Sequence, residues 1–398
     1  TTDGGTMWLP TFNTGFSGLK FGRAAIAGNE IMYTDAFGGV AYVADYTSGT
    51  FSYVVSPVSS NKQAVTVDDN GDFYIQDVNG QIKKFDKGTT SFSNFGSVPP
   101  HYNAQGGFNQ ALLVTGGLVI TGEVNGQVSN DNANNWSRTI NGYWNPTAPN
   151  TNPTSTFDVT SQGAYLHSDH HRMGKLDGAL EFWSTNDGGL NYFNFTSTSD
   201  LNPTTTYKSS NVKVLQSYSV AINPNANDGA LVAANQDNDG MSKINGTWYA
   251  IALGDGIPSA INYNNPAIRY ATSQTGTVIQ TDTGFQGQLQ GNGNSVQIPG
   301  TGIPGSFYFP MEMHKTNPNI IYGGGNDVYK IDASTGLTIG ATSSGLGPNV
   351  ETIATHGNSV MAAKGNLIKF STDQGGSWST ISSSGINGGD ITSVDYDA

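Results

Sequence analysis

Short runs of alternating apolar and polar positions recur along the chain. Examples are EIMYTDA (30–36), VAYVADY (40–46), AVTVDD (64–69), DFYIQD (72–77), QIKKFD (81–86), ALLVTGG (111–117) and LVITGEV (118–124). Gly, Asn or Asp closes each run, and a period of two with such punctuation predicts short strands joined by tight turns. Helical periodicity is almost absent, so the chain reads as all-β. Grouping the strands in fours gives eight units that begin near residues 19, 62, 107, 162, 214, 257, 305 and 349. The Pro- and Asn-rich stretch 141–160 interrupts this rhythm and reads as an exposed loop inside a single domain spanning 1–398.

A second regularity lies on top of the first. TTDGGTMW (with Asp3 and Trp8) recurs as TNDGGLNY (Asp187) and STDQGGSW (Asp373, Trp378), and more loosely as SNDNANNW (Asp131, Trp136). A short Asp accepts hydrogen bonds from its own turn, Gly permits positive φ, and the aromatic packs back on the strand pair. The pattern resembles the Asp-box of sialidase-type β-propellers, which that family places between the third and fourth strands of a blade. The resemblance implies a β-propeller of four-stranded antiparallel blades, with eight blades favoured and seven next. It also implies a ring closed by pairing the N-terminal hairpin with the C-terminal GGDITSVDYDA.

Composition narrows the setting. Charged residues make up only 12% of the 398, against 36% apolar, so there is enough to bury and a disordered chain is not expected. A net charge of -13 disfavours nucleic acid and anionic membrane surfaces as partners. No apolar run reaches the ~20 residues of a membrane-spanning helix. There is no cysteine, hence no disulfide or thiol chemistry. The opening TTDGGTMWLP reads as a mature or trimmed start, and the polar neutral composition suits an extracellular or cell-surface protein.

The candidate chemistry clusters in the middle of the chain. HSDHH (167–171) holds three of the six histidines. On a strand, His167, Asp169 and His171 would face one way, a stripe whose imidazoles suit Zn, Cu or Ni. No HExxH helix or Cys supports such a site, and whether HSDHH binds metal stays open. QDNDG (236–240) and DDNGD (68–72) are oxygen-rich turns that would allow Ca²⁺, though neither follows a full calcium loop; no other cofactor is expected. The order HSDHHRM, NDGGLNY, LQSYSVAINP, AANQDNDG, GDG resembles secreted bacterial BNR-repeat propellers exported by the Bacteroidetes-type pathway. That resemblance implies a polar set near a central channel, built from His167, Asp169, His170, Gln236 and Asp237. Trp144, in the long loop, is a candidate for stacking on a sugar. Trp248 reads as a strand core residue.

Two functions remain open. The leading one is a non-catalytic binding, adhesion or scaffold module whose partner is an extracellular glycan or a surface protein. The alternative is a glycoside hydrolase or polysaccharide lyase with facing carboxylates on the channel rim, drawn from Asp169, Glu181, Asp187 and Asp255. Sialidase activity is not expected, because the chain's four arginines (Arg23, Arg138, Arg172, Arg269) do not supply a recognisable carboxylate-gripping triad.

Overall fold

The structure is a computed structural model. It describes residues 21–35, 41–45, 50–54, 64–100, 109–140, 168–175, 180–201, 203–208, 216–223, 229–251, 254–285, 294–301, 307–334, 336–382, 384–385 and 389–396. Among these residues every regular element is a strand. The strands form eight four-stranded antiparallel sheets, each an up-and-down meander in chain order. The sheets span 21–54, 64–94, 111–140, 172–207, 216–251, 256–297, 311–341 and 352–381. All eight starts fall within about ten residues of those expected from the alternation. The fold class is therefore all-β, with eight four-stranded blades of the β-propeller type.

The chain divides into two compact units of four sheets each. Residues 1–147 and 158–214 form the first, and 148–157 and 215–398 the second. Inside each unit, consecutive sheets are joined by their own apolar cluster. The second strand of sheet two (Phe73–Gln76) shows how a period of two achieves this. Phe73 and Ile75 pack with Met32 and Val43 of sheet one, whereas Tyr74 packs with Leu112, Val114 and Val119 of sheet three. A strand covered on both faces loses its polar alternation, and the first two strands of sheet three (Ala111–Thr115 and Leu118–Gly122) are buried throughout. Phe182, Phe193 and Phe195 of sheet four complete the next cluster with Leu113, Leu118 and Ile120. In the second unit, Ile257, Tyr270, Ile321 and Ile331 join sheets six and seven, and Tyr322, Val328, Val360 and Ala362 join sheets seven and eight. Burying each large apolar side chain contributes about 1.5–3 kcal/mol.

Two of the Asp-containing repeats fasten the connection between third and fourth strands by one shared scheme. Ser129 Oγ donates to Asp131 Oδ1 (2.7 Å) and accepts from the Ala133 N–H (3.0 Å), while Asp131 Oδ1 accepts from the Asn135 N–H (2.9 Å). Ser371, Asp373, Gly375 and Ser377 repeat this at 2.8 Å for each contact. Position five needs a left-handed backbone, and Gly375 supplies it with φ +88°. Ala133 stands there in the other copy at φ +63°, its strain offset by a fully buried methyl group. The indole N–H of Trp136 donates to the Ser97 carbonyl, and that of Trp378 to the Thr342 carbonyl.

These turns have a pH signature. Hydrogen bonds from Asn135 and from Ser377 hold the carboxyls of Asp131 and Asp373 down at about 2, against an ordinary 3.8. A depressed folded-state pKa contributes stability that is complete above the unfolded value and is lost as pH falls through the folded one. We expect the Asp373→Asn variant to lose part of the stability difference between pH 5 and pH 2. Urea unfolding at both pH values checks this, and identical pH slopes for variant and parent would refute it.

Several expectations are corrected here. Asp187 does not occupy a third-to-fourth-strand connection. Its turn, Asn186–Gly189, joins the second and third strands of sheet four through the two-residue loop Asp187–Gly188. Trp248 lies on the fourth strand of sheet five, 37% exposed beneath the Lys243 ammonium, and is not a core residue. Residues 389–396 carry no strand. They lie along sheet eight through an Ile391 N–H bond to the Gly365 carbonyl and a Val394 N–H bond to Thr352 Oγ1. Asp3 and Trp8, with the N-terminal half of the expected closure, and the 141–160 loop with Trp144 lie outside the described residues.

Candidate functional site

In the first unit the polar residues converge where the chain enters sheet four. HSDHH is not a strand. Asp169 takes φ +64°, a left-handed conformation that Asp tolerates, and the first strand of the sheet begins only at Arg172. The reversal breaks the alternation, so no histidine stripe forms, and His167 lies outside the described residues. The His170 N–H donates to the Glu123 carbonyl (2.7 Å) in the second turn of sheet three, and its Nδ1 is hydrogen-bonded to Ser184 Oγ (2.8 Å). A side chain at Gly122 would put its Cβ 2.6 Å from that of His170, so glycine is needed for the close approach. His170 is fully buried, which corrects its expected role as a ligand donor: the ring locks sheet three to sheet four.

Asp169 and His171 remain at the surface of this lock. The Asn109 side-chain amide donates to Asp169 Oδ1. His171 Nε2 meets Asp187 Oδ1 at 2.5 Å, and the His171 N–H donates to the Thr185 carbonyl (2.9 Å). Asp169 and Asp187 are both half-buried, and each brings a carboxylate oxygen within 4.8 Å of the other. Two ionised carboxylates at that distance repel by a few kcal/mol at an effective dielectric of ~20. The Asn109 amide and the His171 imidazole reduce that cost, and a shared proton or a divalent cation between the oxygens would remove more of it. A calcium ion takes 6–8 oxygens, so this pair would need most of its shell from water or a ligand. Glu181 stands apart. It is exposed and accepts from Asn194 (3.4 Å) at the far end of the strand Glu181–Asn186, about 16 Å along the backbone from the Asp187 turn.

The second unit has its own polar centre, built from the turn Gln236–Gly240 and the GDG segment 254–256. Asp237 and Asp239 both have positive φ (55° and 56°), a left-handed backbone that Asp tolerates. The Asp237 N–H donates to Asp255 Oδ1 (2.7 Å), and the Gly254 N–H to Asp239 Oδ1 (2.6 Å). The Asp239 N–H returns to the Gly254 carbonyl (2.9 Å). The Tyr218 hydroxyl donates to Gln236 Oε1 (2.7 Å). Its pKa is raised by burial first and then by the charges of Asp255 and Asp237. QDNDG and GDG are thus one hydrogen-bonded piece.

Sequence reasoning singled out Asp169, Asp187, Gln236, Asp237 and Asp255, and missed Asn109, Ser184 and Tyr218. Asn109 carries one signal: it immediately precedes sheet three, as HSDHH precedes sheet four. Arg269 is 1% exposed and enclosed by carbonyls of sheet five. Among the described residues no helix is long and apolar enough to cross a membrane.

No protein-family model matches the chain, and no curated protein matches it. Among solved structures it is similar to the Niastella koreensis GH74 enzyme NkGH74, at 14% identity and a TM-score of 0.30. That match covers 90% of this chain and 65% of the other, so the chain spans less than two thirds of the enzyme's length. The computationally designed Ika4 protein matches at 16% identity over 47% of this chain and 99% of its own, with a TM-score of 0.33. A functionally unknown protein from Desulfotomaculum acetoxidans matches at 16% identity over 55% of this chain and 70% of its own, with a TM-score of 0.32. Likenesses this low assign no activity to the chain.

Proposed function

We propose that this chain is an extracellular glycan-active β-propeller protein related to the BNR-repeat type, in which Asp169 and Asp187 are the working carboxylates of a glycoside hydrolase. The observation that carries the reading is their oxygen separation within 4.8 Å. That limit lies below the ~6.5–9.5 Å that inverting enzymes need to admit water, so the pair is compatible only with the closer spacing of a retaining enzyme. The two carboxylates also have different neighbours. Asp169 receives an amide hydrogen bond from Asn109, which orients the carboxylate and suits a nucleophile. Asp187 is coupled to the half-exposed His171, through which a proton can be exchanged with solvent, and this suits the acid/base.

The chemistry balances on these groups. An Asp169 oxygen attacks the anomeric carbon as the glycosidic C–O bond breaks, and Asp187 gives its proton to the departing oxygen. Water then attacks the glycosyl ester, Asp187 takes the water's proton, and Asp169 leaves as carboxylate. A screen of the purified chain against polysaccharides and aryl glycosides, with the product anomer read by NMR, tests this. Hydrolysis with retention is expected. The second reading, a non-catalytic glycan-binding or adhesion module, is favoured by the hydrogen-bonded turns at 236–240 and 254–256, which present acidic side chains beside Tyr218. It prevails if no substrate is cleaved while a glycan array is positive.

A further inference from the structure

The second unit carries an aromatic group that the carboxylate pair does not use. Tyr218 stands in the first strand of sheet five (Gln216–Ile222), and Phe307 and Tyr308 lie just ahead of the first strand of sheet seven (Met311–Met313). The Tyr218 ring meets Phe307 edge-on, with centroids 6.1 Å apart, and meets Tyr308 at a 50° tilt, 5.9 Å apart. Tyr308 is 47% exposed beside the Tyr218 ring. The Tyr218–Gln236 hydrogen bond and the Asp237–Asp255 contact fix the cluster's polar edge. A pre-ordered aromatic face spends little conformational entropy on binding. Such a face bordered by carboxylate acceptors matches a sugar ring, which has an apolar C–H face and a rim of O–H or N–H donors.

We propose that Tyr308 and Tyr218 form a sugar-stacking subsite in the second unit, flanked by Asp237 and Asp255, that takes a pyranose of a neutral or amino-sugar glycan and rejects uronates. The exclusion follows from the two acids and from the chain's net charge of -13. The subsite takes its biological sense from the glycan reading above, but it is measured by binding and needs no hydrolysis.

Isothermal titration of the full chain with cellohexaose, a glucosamine hexamer and a galacturonate hexamer tests it. Asp187→Asn serves as the background so that no probe is consumed. At least one of the first two probes is expected to bind and the galacturonate hexamer is not. Tyr308→Ala should weaken binding about fivefold or more, and Tyr308→Phe should retain it, because stacking needs the ring and not the hydroxyl. Melting curves of both variants separate lost stacking from lost folding. Three results would overturn the proposal: no binding of either favoured probe, equal binding by Tyr308→Ala, or tighter binding of galacturonate. Loss of hydrolysis in the screen above, with Tyr308-dependent binding intact, would remove the carboxylate reading and leave this subsite standing.

Discussion

Replacing Asp187 by Asn is expected to lower glycan hydrolysis by about 10²–10⁴-fold with little change in melting temperature. Asparagine keeps the shape of the side chain at the turn but can neither give nor take the proton. The backbone of the hairpin does not depend on the carboxylate: the Gly188 N–H is capped by Asn186 Oδ1 (3.1 Å), and Asn186 is in turn held by Asn191. Asp169→Asn should be at least as damaging, since it removes the attacking oxygen. The two losses should fall well short of additive in the double variant, because the groups act in one reaction. Steady-state kinetics on the best substrate from the screen checks this. A variant that keeps more than about a tenth of the parental kcat would remove Asp187 from the chemistry.

The second large effect is on stability. Arg269→Ala is expected to lower the unfolding free energy of the second unit by about 3–5 kcal/mol. The guanidinium Nη1 donates to the Leu231 carbonyl (3.0 Å), Ser242 Oγ (2.6 Å) and the Lys243 carbonyl (2.9 Å), and Nε donates to the Pro266 carbonyl (2.9 Å). Leu231 and Lys243 are register partners on neighbouring strands of sheet five, so one side chain from sheet six ties both. Truncation leaves buried acceptors without this donor, each costing about 1–3 kcal/mol, and opens a cavity besides. Denaturant titration checks it. A loss below about 1 kcal/mol would mean that water replaces the guanidinium without penalty.

The fold was legible because its information is local. Alternation and Gly/Asn/Asp punctuation recur along the chain, and the Ser–Asp turns at 129–136 and 371–378 carry their own hydrogen-bond partners within eight residues. The site was legible only in part, because its geometry depends on distant partners. Asn109 reaches Asp169 across 60 residues, and its place just ahead of sheet three is the one local signal of the pair. HSDHH misled for a backbone reason: alternation assumes extended φ throughout, and the left-handed Asp169 breaks that assumption without changing a letter. TNDGG misled because it shares the spacing of the fastening turns. Its loop is only Asp187–Gly188, a shorter hairpin in which Asp187 faces His171. Tyr308 had no signal at all, since exposure of an aromatic beside a strand is decided by tertiary packing.

The most direct test of the central claim is to trap the glycosyl intermediate. The chain is incubated with an activated 2-deoxy-2-fluoro glycoside of the sugar identified in the screen, and the intact and digested protein are weighed by mass spectrometry. A gain of one glycosyl unit on the peptide that carries Asp169, absent in Asp169→Asn, is the predicted result. Turnover of substrate with no adduct, or an adduct on any other residue, would contradict the assignment of Asp169 and Asp187.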